Sequence, residues 1–153
     1  MIRCMTTDGL DRDVRLFVLG ETARTGSVPQ ARAVAAALGR SEADIAASLK
    51  RLAAAKVLIL APNEGHIWAA NPFCAVPSGF RVVTADQSYW GICIWDALGV
   101  LAAVGRDGTV TAPCADCGDA MALEVRDDAL VRSEGIVHFA VPARRWWDNI
   151  GFS

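Results

Sequence analysis

Cys93 and Asp96 stand three residues apart in Tyr89-Trp90-Gly91-Ile92-Cys93-Ile94-Trp95-Asp96-Ala97-Leu98-Gly99, an apolar run of helical character. On a helix that spacing sets a thiol and a carboxyl on one face, one turn apart. A thiolate is a nucleophile and a soft-metal ligand, and a carboxylic acid beside it can take up or deliver a proton. Trp90 and Trp95 flank the pair and are candidates for walls that keep water off it. The plainer alternative is a buried core cysteine with a capping or exposed aspartate, because free cysteine is among the most buried residue types.

Cys114-Ala115-Asp116-Cys117-Gly118 is the second chemical word, a Cys-x-x-Cys turn closed by glycine. Two sulfurs at that spacing can chelate zinc or another thiophilic metal, or form a redox pair, or remain reduced structural thiols. No second Cys-x-x-Cys or histidine pair completes a standard structural zinc site. Further ligands would have to arrive through the fold, from Cys74, Cys93, His66 or His138. The alternation of Ile136-Val137-His138-Phe139-Ala140-Val141 points Val137 and Phe139 inward and His138 outward. Trp146 and Trp147 are expected in the core or a pocket wall.

The elements that must position these groups fit in 153 residues, enough for one ordinary domain or two small ones. Apolar residues at 53% against 21% charged ones support a packed core and exclude a chain disordered throughout. A formal charge of −2 gives no general electrostatic reason to bind nucleic acid. Met1 to Asp13 carries five charges and no apolar core of a signal peptide, and no apolar run is long enough for a membrane span. The expectation is a soluble, cytoplasmic chain, in which five cysteines act as thiols or metal ligands instead of a disulfide framework.

Along the chain, Val14, Phe17, Val18 and Leu19 mark an amphipathic helix within 11–25. Pro29 opens and Gly39 closes a second, and Ser41 caps a third with Ile45, Leu49 and Leu52 as its stripe. Val57 to Leu60 and His66 to Ala69 read as strands around a Pro62-Asn63-Glu64-Gly65 turn. Three helices and a hairpin are the order of a winged helix, a DNA-binding or a packing module. The would-be recognition helix, Ser41 to Ala54, has Lys50 and Arg51 only late and Glu42 and Asp44 where bases would be met, which favours packing. Asn71 to Gly79 is a turn-rich linker. Beyond it come strands at 80–84, 109–112, 122–125 and 136–141, a helix over 89–104, and a short helix from Arg144. The fold class is α+β: a winged-helix-like domain over 1–70, then a mixed-sheet domain over 71–153 carrying the Cys-x-x-Asp helix.

In order and motif the chain resembles the alkylmercury (organomercurial) lyase family. The matching words are Asn71-Pro72-Phe73 through Val76-Pro77, Cys93-Ile94-Trp95-Asp96-Ala97-Leu98, the strand pair around Cys114, and Val137-His138-Phe139-Ala140-Val141-Pro142. The resemblance implies protonolysis of a carbon–mercury bond, with Cys93 holding mercury and Asp96 relaying the proton. It implies no required cofactor, a small organomercurial or other thiophilic ligand as partner, and mercury(II) as bound product. Cys114 looks like the family's additional, non-catalytic cysteine. The family's second catalytic cysteine would follow Trp146 to Phe152. Either Ser153 stands near that position, or the second thiol comes from Cys114, Cys117, a partner chain, or nowhere. The alternatives to a lyase are a binding relative that holds a thiophilic metal without turnover, a different Cys93-dependent enzyme on the same scaffold, and a DNA-binding regulator. An open sheet edge would favour a homodimer.

Overall fold

The structure, a computed structural model, describes residues 9–62, 65–133, 135–139 and 141–150. Asn63 and Glu64 of the expected turn, Ala140 of the expected last strand, and Ser153 lie outside the described residues.

Three helices come first: α1 (Gly9–Thr25), α2 (Ala31–Leu38) and α3 (Glu42–Ala54). Gly39 ends α2 in the left-handed conformation, and the Ser41 hydroxyl accepts the Asp44 N–H at the start of α3, as its sequence predicts. Val14, Val18, Val34, Ile45, Leu49 and Leu52 meet in a first core. Each such side chain removed from water stabilises by about 1.5–3 kcal/mol. The strands β1 (Ile59–Leu60), β2 (Ile67–Ala70) and β3 (Phe73–Cys74) close that unit as an antiparallel sheet, ordered β1-β2-β3.

Arg51, one of the two basic residues late in the third helix, reaches back to α1 while its side chain stays 47% exposed. Its Nε donates to Asp11 Oδ2 at 2.9 Å and its Nη2 to Asp11 Oδ1 at 2.6 Å, tying α3 to α1. The guanidinium holds the buried Asp11 carboxyl below its usual range, against the burial that pushes it up. A depressed carboxylate contributes stability above its ordinary range, and that contribution is lost as pH falls through the depressed value. Asp11→Asn should therefore lower unfolding free energy by about 1–3 kcal/mol at neutral pH. The difference from the parent should shrink below about pH 4, read by denaturant melts across pH. A difference that stays constant into acid would sink the ion-pair account.

The second sheet has the order β5-β4-β6-β7-β8, built from β4 (Phe80–Val83), β5 (Ser88–Gly91), β6 (Gly108–Pro113), β7 (Ala120–Arg126) and β8 (Ala129–Arg132). Every pairing in it is antiparallel. Helix α4 (Ile94–Val104) packs across β4, β5 and β6. Val82, Tyr89, Val110 and Leu123 from the sheet meet Ala97, Val100 and Leu101 of the helix in a second core. The Tyr89 hydroxyl donates to Ala23 O of α1 at 2.7 Å, a direct link between the two cores. The class is α+β, as the sequence implies. Among the described residues no helix is long and apolar enough to cross a membrane.

Two expectations fail. Residues 89–91 are strand, so the helix begins at Ile94 and not at Tyr89. Tyr89 and Trp90 pair with Val82 and Arg81, and that ladder outweighs the helical look of the run. Residues 136–139 form no strand either. Gly135 adopts φ +78°, a left-handed conformation that favours glycine and breaks an extended run, and residues 136–139 continue without strand pairing. Ile136 is consequently 93% exposed, and Val137 and Phe139 are partly exposed instead of pointing into a core.

Candidate active site

Tight packing places the site. At the end of β5, Gly91 lies under the first turn of α4, and a β-carbon on it would come within 2.6 Å of Ala97 N and 2.9 Å of Ala97 Cα. Only glycine lets strand and helix approach so closely. Two residues later Cys93 is the N-cap of α4, in extended conformation, and its carbonyl accepts the Ala97 N–H at 2.9 Å. The thiol thus sits at the helix start and not within the helix. Asp96 follows in the first turn, where a carboxylate is favoured by the helix dipole.

The spacing does bring the two groups together. Cys93 Sγ donates to Asp96 Oδ2 at 3.6 Å, within the longer reach of a sulfur hydrogen bond. Burial pushes the Cys93 thiol up, with the Asp96 charge adding to it, against the N–H groups of Asp96 and Trp95 that favour the thiolate. Burial also pushes the Asp96 carboxyl up, opposed by the hydrogen bond from Cys93. Burial thus favours the protonated form of both groups, and the thiol donates to the Asp96 oxygen.

Trp95, between them in sequence, is 60% exposed and meets Phe139 edge-on at 6.4 Å. Phe139 in turn packs on Trp146 at 5.1 Å, and Trp146 Nε1 donates to Val141 O at 3.0 Å. The C-terminal segment thus reaches the first turn of α4 through Phe139, with Trp146 half-buried behind it. Phe139 is the residue the sequence reading missed, because it was assigned to a sheet interior. Trp90 is no wall. Strand alternation turns Tyr89 and Gly91 toward α4 and Trp90 to the other face, where it lies 6.0 Å from the Arg81 guanidinium.

The remaining thiols are placed separately. Cys114 and Cys117 lie in the turn from β6 to β7, where Cys114 N donates to Asp119 O at 2.8 Å and Gly118 N to Cys114 O at 2.9 Å. The N–H groups of Cys117 and Asp116, together with the Cys117 thiol, hold the Cys114 thiol below its usual range. Cys74 is buried in β3, with its thiol 3.8 Å from Trp68 O and pushed up by burial. His138 is exposed. Among the described residues no three His, Cys, Asp or Glu side chains gather as a metal would require. Cys93 and Asp96 are thus one pair and Cys114 and Cys117 another, and the extra ligands that zinc would need from Cys74, His66 or His138 are not brought in.

An α+β scaffold thus presents a thiol hydrogen-bonded to a carboxyl at the start of a helix. The family model of MerB, alkylmercury lyase, matches residues 73–152, more than half of the sequence, and the chain belongs to that family. Among solved structures it is similar to the crystal structure of the mercury-bound form of MerB2. The TM-score is 0.62 at 15% identity, over 81% of this chain and 66% of that one. The chain thus spans just under two thirds of that protein's length, and the likeness is one of fold. No curated protein matches it.

Proposed function

We propose that the protein is an organomercurial lyase acting through Cys93 and Asp96. The observation that carries this reading is the 3.6 Å thiol–carboxylate contact at the N-cap of α4, in a chain of this family. The thiol of Cys93 passes its proton to Asp96 as sulfur bonds to mercury and displaces the substrate's anionic ligand. Asp96 then protonates the carbon, whose bond pair to mercury becomes the new carbon–hydrogen bond. The hydrocarbon leaves, and divalent mercury stays on sulfur. Trp95, Phe139 and Trp146 supply an apolar wall for an aryl or alkyl group. The division into two domains at about residue 70 is part of the same reading and is supported by the two separate cores.

A second reading is a binding relative that holds mercury without cleaving the carbon bond. Its support is that no third ligand joins Cys93 and Asp96 among the described residues. Single-turnover incubation of the reduced protein with an arylmercurial and excess monothiol separates the two: free arene for the lyase, bound mercury without arene for the binder. Asp96→Asn should still capture the arylmercurial, because the thiol remains, and should release arene about 100-fold or more slowly. Parental rates in that variant would remove Asp96 from the mechanism.

A further inference from the structure

The mechanism proposed above does not use the Cys114–Cys117 pair, yet the sheet brings that pair to the same end as Cys93. Strands β5 and β6 flank β4 and run in the same direction, with Trp90 and Thr111 both opposite Arg81. Two strand spacings, about 10 Å, separate those positions. Cys93 lies three residues past Trp90 and Cys114 three past Thr111, so both thiols leave the sheet at one end. The faces agree as well. Tyr89 and Gly91 in β5 and Val110 and Ala112 in β6 are the buried positions beneath α4, and Cys114 continues that alternation because its N–H still pairs with Asp119 across the ladder. Cys117 is exposed at the tip of the turn, which the Gly118 N–H closes back onto Cys114 O at 2.9 Å, so the two cysteines sit on one tight loop.

We propose that Cys114 and Cys117 form an acceptor dithiol that draws mercury(II) off Cys93 and offers it to solvent. The inference rests on the lyase reading above for the origin of the mercury. In the transfer, mercury starts between Cys93 and a small monothiol. Two mercury–sulfur bonds break and two form, to Cys114 and Cys117, and mercury stays divalent. The protons given up by the dithiol end on the departing Cys93 and monothiol sulfurs. The direction follows from the chelate effect: the second sulfur of a dithiol binds intramolecularly, which raises retention about 10²–10⁴-fold over a monothiol.

The test uses a mercuric ion–monothiol complex, so it does not depend on cleavage. The parent chain, given one equivalent with excess monothiol and then alkylated, should show Cys114 and Cys117 protected and Cys93 modified in peptide mapping. Cys93→Ala should retain mercury under the same competition, and Cys93→Ala with Cys117→Ser should lose it by about 100-fold. Cys117 is exposed, so this change leaves the fold intact, which circular dichroism checks. Protection of Cys93 or Cys74 in the parent, or retention unchanged by Cys117→Ser, overturns the proposal. Failure of arene release overturns the lyase reading instead and is measured separately.

Discussion

Cys93→Ala should abolish arene release from an arylmercurial, by about three orders of magnitude or more, because the proposed mechanism puts both mercury capture and the proton passed to Asp96 on this one sulfur. The loss should fall on the chemical step and on capture alike, since one sulfur performs both. Fold should be spared: the side chain is half-buried and makes no capping hydrogen bond to the helix backbone. Unchanged thermal melting with no arene is the expected pair of results. Arene released by the alanine variant at the parental rate would move the chemistry to another thiol and end the present assignment.

Gly91→Val should also lower turnover, by about 100-fold, without touching a reacting atom. A β-carbon at this position meets the backbone of Ala97, which cannot rotate away as a side chain could. Either β5 or the first turn of α4 must shift, at about 1–3 kcal/mol of stability for the strain. The same shift moves the Cys93 carbonyl from Ala97 N and alters the thiol–carboxylate contact. Misplacing reacting groups by about 1 Å can lower turnover about 100-fold. A variant that keeps parental turnover would mean that the site tolerates a looser helix start. Gly91→Ala, the smaller change, should fall between the two.

The chemistry was more legible in the sequence than the backbone beneath it. A cysteine and an aspartate at i and i+3 meet whether the cysteine lies inside the helix or caps it, so that pairing survived an error in the helix start. The error arose because Tyr89-Trp90-Gly91 is apolar enough for either state, and periodicity over so few residues does not separate them. What decided was β4, whose register no local pattern announces. The apolar run after Gly135 misled in the opposite direction, since β-branched residues read as strand but residues 136–139 pair with neither edge of the sheet. Strand β8 was missed although its turn carried a signal. Asp127 and Asp128 both adopt positive φ, +50° and +58°, the geometry of a tight hairpin turn that aspartate tolerates better than most residues. The shared sheet end of Cys93 and Cys114 was invisible because it depends on two strands being separated by a third that precedes both in the chain.

The exposed indole of Trp95 gives the protein a reporter of its own. It is bracketed in sequence by the thiol and the carboxyl, and it is held by Phe139. A heavy atom bonded to the Cys93 sulfur would sit two residues from this indole, and contact between them lets spin–orbit coupling drain the excited singlet into the triplet. Loading of the site should therefore be visible as static quenching of fluorescence and a gain in phosphorescence, with no dye or label. Departure of the heavy atom toward the β6–β7 turn should restore the emission, so arrival and exit become two phases of one optical trace.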